Sequence, residues 1–464
     1  MKKLITLFIS VLLLTSLYNC TEKEDIPVDS EIQNFIWKAM NLNYLWQKEI
    51  PDLQDDRFSN QTDLNNFLEN KTPETVFDAL LFEGDRFSWM VDDYIALENQ
   101  FAGITKNNGM EFGWVSIAED EDQIFGYVRY VIPNSDAEEK GIQRGQIIYG
   151  INGSELSRSN YRDLFANDIY TVDFGTYSVV DGMAQIVSNN QHTELTKEVL
   201  TENPVHTVTT KEINGRKIGY VLYNQFTNEF DSELNDAFTQ LKSENITDLV
   251  LDLRYNGGGS VNTAVALSSM ITGQFDNELF TTLSYNEKLN DLIGVRSINF
   301  QNQLTTGETI SKLNLNKLYV LVTGSSASAS ELVINSLKPY IDVILIGNKT
   351  VGKAVGSITL YDSSNYRREN ANTNHTYALQ PIVSELVNKL GTNNKEGFIP
   401  NFEIFEDYQN LGVLGDINEQ LFSKAITEIT GFRFTTIYND LNLSSLGDSK
   451  GENSQNNMFI KTKP

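Results

Sequence analysis

Leu318-Tyr319-Val320-Leu321-Val322 runs into Gly324-Ser325-Ser326-Ala327-Ser328-Ala329-Ser330-Glu331, after which Ala329, Leu332, Val333, Ser336 and Leu337 recur at helical spacing up to Pro339. Five apolar residues, a serine-rich turn and a helical pattern read as a buried strand feeding a helix, the junction of an α/β sheet. Ser328 falls near the helix N-terminus, where N–H groups lack partners and the helix dipole favours negative charge. Serines there also act as N-caps. One serine can cap while another serves as nucleophile, provided something removes its proton. Lys353, in Thr350-Val351-Gly352-Lys353, follows the next strand, Asp342 to Ile346, with no acidic residue between it and Asp362. Burial lowers a lysine's pKa and lets the amine take a hydroxyl proton. A lone lysine is ordinarily solvated surface; its pairing with the serine run gives this one a chemical role.

The same alternation extends to either side. Lys217 to Tyr223 reads as a strand, Asp231 to Lys242 as an amphipathic helix, Asp248 to Leu253 as a buried strand and Val261 to Ile271 as a helix. Repeated strand–helix alternation indicates βαβ units over residues 204–430. The strand Leu251-Asp252-Leu253 leads into Arg254-Tyr255-Asn256-Gly257-Gly258-Gly259. Three glycines leave backbone N–H groups unscreened, and such donors can stabilise a developing oxyanion; a purely structural turn is the alternative.

Upstream, residues 30–95 read as a small helical domain, from the helical spacing of Ile32, Phe35, Ile36, Ala39 and Met40 and from Thr72-Pro73-Glu74 opening a later helix. From about residue 98 the pattern turns to short strands. Met110 to Ile117 and Gln123 to Val131 are followed by Pro133-Asn134-Ser135-Asp136-Ala137, a short helix, Gly141 and Gly145, the strand Ile147 to Ile151, and Asn152-Gly153. This order resembles a PDZ domain over residues 98–202, with Gln146 where such domains carry Asp. A PDZ-like fold takes peptide C-termini by strand addition, and Phe112-Gly113-Trp114 is the candidate peptide-binding loop. A plain hairpin is the alternative. Residues 431–464, rich in Asn, Ser and Gly, read as a polar tail.

At the N-terminus, Lys2-Lys3 precede an apolar run from Leu4 to Leu17, too short to span a bilayer and typical of a secretory signal. Cys20, the single cysteine, stands at the cleavage point, so residues 1–19 resemble a lipoprotein signal, with Asn19 where a small residue is usual. Lipidation at Cys20, a tether over 20–29 and a lipid-anchored place in the cell envelope follow from that resemblance. A lone cysteine excludes an intrachain disulfide framework. The chain has 464 residues, which suggests two or three domains. Its formal charge of −26 argues against nucleic acid or anionic membrane surfaces as partners.

Two rival chemistries are weaker. Gly347-Asn348-Lys349-Thr350-Val351-Gly352-Lys353-Ala354 approaches a phosphate-binding loop, but Ala354 lacks the magnesium-ligating hydroxyl and the following residues read as strand. The three histidines, His192, His206 and His375, are scattered and none adjoins the serine run, which disfavours a histidine base or a zinc site. No cofactor, metal or nucleotide is expected.

Taken together, the Asp-Leu-Arg-x-Asn-x-Gly-Gly segment, the Ser-Ala-Ser-Ala-Ser-Glu run and the Gly-Lys after the next strand resemble the tail-specific, or C-terminal processing, serine proteases. The likeness runs from residue 30 to about 425, including Gly397-Phe398-Ile399-Pro400-Asn401. It implies a crotonase-like α/β core with an inserted PDZ-like domain and a small helical domain. It also implies a nucleophile at Ser328 and a lysine base 25 residues later at Lys353, with Glu331 in support. The oxyanion donors would be Ala329 and Gly257 or Gly258, and the substrates polypeptide C-terminal tails. Ser357 stands where many members carry a glutamine that orients the lysine, which makes it the secondary orienting candidate. Tyr255 replaces a commonly polar residue. A catalytically inactive relative that only binds peptide tails is the competing reading.

Overall fold

The computed structural model describes residues 30–118, 122–432, 443–450 and 458–459. The signal segment, the tether and Cys20 lie outside them. The chain forms two compact units, one ending at Asp85 and one beginning at Arg86.

The first unit is helical. Helix α1 (Glu31–Asn43) buries Phe35, Ile36, Ala39 and Met40 on one face. Helix α2 (Gln61–Leu68) is capped by the Asn60 side chain, and α3 (Pro73–Ala79) by Thr72 with proline in the first turn. The expected extent to residue 95 is too long. Trp89–Val91 forms a strand paired with Ala378–Gln380, so these apolar residues are held by the second unit's hydrogen bonds.

Further along, the second unit forms a sheet of β1 (Met110–Ser116), β2 (Ile124–Val131), β3 (Ile147–Ile151), β4 (Ile169–Val180) and β5 (Met183–Thr196), hydrogen-bonded in that order. Its core gathers Phe112, Trp114, Ile148, Tyr170 and Phe174, with Tyr161 and Phe165 packed against them. Phe112, Gly113 and Trp114 are therefore not an open loop. They lie in the middle of β1, where large alternating side chains fill the core while the backbone pairs on both sides.

The core sheet follows. It comprises β6 (Val205–Ile213), β7 (Arg216–Tyr223), β8 (Asp248–Asp252), then, beyond the short β9 (Gly259–Ser260) and the strands β10 (Leu279–Tyr285) and β11 (Arg296–Asn299), β12 (Lys317–Val322) and β13 (Asp342–Gly347). Strands β7, β8, β12 and β13 pair in parallel in that order, with β6 antiparallel on one edge. The connections carry α4 (Asp231–Ser243), α5 (Val261–Thr272) and α6 (Ala329–Leu337). Both faces are covered, which explains the near-continuous apolar strand sequences. Leu249, Leu251, Val320 and Val322 face these helices, whereas Val250, Tyr319 and Leu321 face α7 (Gln420–Thr430).

A second sheet contains β14 (Val355–Ser357) and β15 (Ile382–Val387), which pair antiparallel, with β10 and β11 beyond. The expected loose tail is not loose where it is described. Past Phe402–Glu403 (β16), which pairs with β13, Ser445–Asp448 (β17) adds antiparallel to β1, and Met458–Phe459 (β18) lies between β9 and β14. Main-chain bonds hold the polar Ser445–Asp448 stretch at a sheet edge, and the buried Met458–Phe459 pair between two strands. Among the described residues no helix is long and apolar enough to cross a membrane.

Candidate active site

Strand β12 ends at Val322, and the chain turns through residues 323–327 before α6 starts at Ala329. The turn is fastened to the glycine-rich segment. Ser326 Oγ donates to Leu253 O at 2.7 Å, Ala327 N to Asn256 O at 3.2 Å, and Ser330 Oγ to the same Asn256 O at 2.9 Å. Ser328 thereby takes φ 64° and ψ −114°, a conformation that a residue with a Cβ adopts only when its surroundings impose it. Ser328 is fully buried, and its Oγ has no hydrogen-bond partner. It holds the N-cap position, where Glu331 receives the Ser328 N–H at 2.9 Å in the manner of a capping box.

Glu331 does more than support the serine. One carboxylate oxygen accepts from Ser328 N at 2.9 Å and Lys353 N at 2.8 Å; the other accepts from Thr350 Oγ1 at 2.6 Å and Gly352 N at 2.8 Å. A single buried oxygen thus joins the backbones of the two residues the sequence singles out. Gly352 makes this approach possible: at φ 89°, an added Cβ would lie 2.4 Å from Lys395 O and 2.6 Å from Gly397 N. Thr350 Oγ1 in turn accepts from Phe398 N at 2.7 Å, tying in the Gly397–Asn401 segment. Lys353 is 2% exposed, with its Nζ 5.0 Å from the centroid of the Phe87 ring.

The candidate oxyanion donors separate in the structure. Gly258 N donates to Asn256 Oδ1 at 2.9 Å, so that N–H is spent on holding the turn, and Gly257 is left as the candidate of the pair. Asn256 is fixed through Nδ2 to Tyr223 O at 2.8 Å. Ala329 N stands in the first turn of α6, where no intrahelical acceptor exists. Beneath the loop Arg254 is fully buried, paired with Asp252 at 2.8 Å and with Glu419 at 2.7 Å. These carboxylates hold its guanidinium well above the usual range against desolvation. Burial with Asp252 nearby likewise pushes the Tyr220 hydroxyl, which donates to Asp252 at 2.7 Å, well up.

Other expected residues fall elsewhere. Ser357 Oγ donates to Met458 O at 3.1 Å, so its proton holds strand β18 and is not directed to Lys353. His375 uses both ring nitrogens, one with Asp362 at 3.1 Å and one accepting from Tyr377 N at 3.2 Å. His206 contacts Thr207 Oγ1 and Val131 O, and His192 is exposed on β5. The amides of Gly352 and Lys353, which a phosphate-binding loop would offer to its ligand, are taken by Glu331, and a strand follows them. Sequence reading missed Asn256 and Thr350 as clamps. It also missed Arg129, whose guanidinium donates to Ser325 Oγ at 2.9 Å and lies 4.8 Å from the Tyr255 ring centroid. Nothing local marks Arg129, because Ser325 is 196 residues away.

A strained buried serine and a buried lysine, their backbones joined by one carboxylate, have the make-up of a nucleophile and its base. Residues 217–380 match the model described as Peptidase family S41, and residues 31–89 the Peptidase S41 N-terminal domain. Both of these segments are thus similar to peptidase family S41. It is 26% identical over 239 residues to a chloroplastic C-terminal processing peptidase of Tetradesmus obliquus, covering 48% of this chain and 47% of that one. It is 24% identical over 352 residues to a CtpA-like serine protease of Staphylococcus aureus, covering 70% and 64%. These matches span about half to two-thirds of the relatives' own length. A crystal structure described as an S41 protease from Bacteroides fragilis shares 25% identity at a TM-score of 0.66, over 86% of this chain and 97% of that one. The photosystem II D1 C-terminal processing protease shares the fold at 21% identity and a TM-score of 0.51, over 86% and 99%.

Proposed function

We propose that the protein is a serine endopeptidase acting through Ser328 and Lys353 on polypeptide C-terminal tails. The observation that carries this reading is the Glu331 carboxylate, which fixes the backbones of both residues through one oxygen. In the proposed reaction, neutral Lys353 takes the Ser328 proton as Oγ bonds to a peptide carbonyl carbon. The oxyanion rests on the N–H groups of Ala329 and Gly257. The protonated lysine gives its proton to the leaving nitrogen as the C–N bond breaks, and water then hydrolyses the acyl ester. Burial suits the role, since desolvation disfavours an ammonium.

The β1–β5 sheet, with its short helices Asp136–Glu139 and Tyr161–Leu164, supports assignment of residues 98–202 as PDZ-like. In this role it would present the edge of β1 to extended peptide. A lipid anchor at Cys20 and a cell-envelope location are proposals from the sequence. The test is reaction with a fluorophosphonate followed by peptide mapping. An adduct on Ser328 is expected. Absence of any adduct in the folded chain would overturn the enzymatic reading in favour of an inactive peptide-binding relative.

A further inference from the structure

The chain's own C-terminal segment occupies two strand positions beside the candidate site. Strand β18 lies between β9 and β14, parallel to both, with Met458 opposite Gly259, and Phe459 opposite Ser260 and Ser357. Strand β9 directly follows the Gly257–Gly258 turn, and β14 begins two residues after Lys353. The slot is thus bounded by the strands that carry the candidate oxyanion loop and the candidate base. Met458 lines one small cavity together with Glu331, Leu332 and Lys353. Its carbonyl receives the Ser357 hydroxyl, and Phe459 stacks on Phe101 at 4.3 Å between centroids.

Strand β17 covers the edge of β1, pairing Ser445 with Val115, Gly447 with Trp114 and Asp448 with Gly113. Leu446 packs on the cluster of Phe112, Trp114 and Phe165. Three side-chain clamps hold this stretch: Asp448 to Arg129 at 2.6 Å, Ser449 Oγ to Glu111 at 2.6 Å, and Lys450 to Glu202 at 2.9 Å. The Arg129 that grips Asp448 also donates to Ser325 in the nucleophile turn. An open sheet edge accepts any extended chain through main-chain bonds. The slot between β9 and β14 and the edge of β1 both carry this protein's own residues.

We propose that residues 443–450 and 458–459 are an intramolecular occupant of the strand positions that an extended polypeptide substrate takes, so that substrate binds in competition with the enzyme's own C-terminal segment. The inference rests on the peptidase reading above. An occupied site lowers apparent affinity by the fraction of molecules in which it is vacated. Loosening the occupant therefore raises kcat/KM, through KM.

Gly447→Pro and Asp448→Asn test this in the full chain. Gly447 has φ 111°, which proline cannot adopt, and Asp448→Asn removes the charge that Arg129 grips. At least a fivefold rise is expected in the rate of Ser328 labelling by a fluorophosphonate and in kcat/KM on a reduced, unfolded polypeptide, with kcat within twofold of the parent. Equal or slower labelling in folded variants overturns the occupancy proposal and leaves the peptidase reading standing. No labelling in parent or variants overturns both. Should the variants fail to fold, hydrogen exchange on the unaltered chain, inactivated by phosphonate, decides. Added polypeptide must speed exchange at residues 445–448 at least fivefold, and exchange unchanged by bound polypeptide overturns the proposal.

Discussion

Replacing Glu331 by glutamine removes half of the staple between Ser328 and Lys353. The carboxylate accepts from two buried donors on each oxygen. An amide keeps one oxygen and turns an NH2 group toward the other two donors. Each buried donor left without an acceptor costs about 1–3 kcal/mol. Removing a desolvated carboxylate returns part of that cost, so Glu331→Gln should destabilise the second unit by about 3 kcal/mol. An NH2 at one position strips the acceptor from both Ser328 N and Lys353 N, and at the other it loosens only the Thr350–Gly352 side; either way Ser328 and Lys353 shift relative to each other. A displacement of about 1 Å can cost roughly 100-fold in rate. Urea unfolding followed by near-ultraviolet circular dichroism reads the first effect, and Ser328 labelling by a fluorophosphonate reads the second. A variant that keeps the parent's unfolding midpoint and labelling rate would refute the role given to this carboxylate.

Two further outcomes follow from the same geometry. Burial raises the Glu111 carboxyl to about 7; Lys450, which faces it, opposes the shift, and Glu202 and Asp448 add to it. The folded state therefore keeps a proton that the unfolded chain releases, and the associated stability, full below pH 4.5, is lost as pH rises through about 7. Glu111→Gln should match the parent at pH 4.5 and exceed it at pH 8 by on the order of 2–3 kcal/mol; equal melting at both values counts against this. Ser357→Ala should leave labelling of Ser328 undiminished, because that hydroxyl serves Met458. A tenfold loss would restore Ser357 as the group that orients the lysine.

The α/β core was legible because its strands are buried on both faces. Leu249 to Leu251 and Leu318 to Val322 carry unbroken apolar runs, and the observed strands, Asp248–Asp252 and Lys317–Val322, match the ranges expected for them within a residue. Ser328, Lys353 and Glu331 were legible as a pattern, yet the four-way staple was not. Thr350 and Gly352 reach Glu331 from 19 and 21 residues away, across a strand. Phe112 to Trp114 misled as a loop because Gly113 interrupts the apolar pattern, whereas the strand tolerates it by packing against Tyr127 and Arg129. The C-terminal segment misled most. Ser449 meets Phe112 across 337 residues, a pairing that local composition cannot carry.

The central claim is that Ser328 attacks and Lys353 supplies and removes the proton. Hydrolysis of an unfolded polypeptide by the parent, Ser328→Ala and Lys353→Ala chains, each checked for native folding, tests it most directly. The account predicts cleavage by the parent and a loss of at least 1,000-fold in both variants, on the scale of removing a nucleophile or its base. Parent-like cleavage by either folded variant would contradict it.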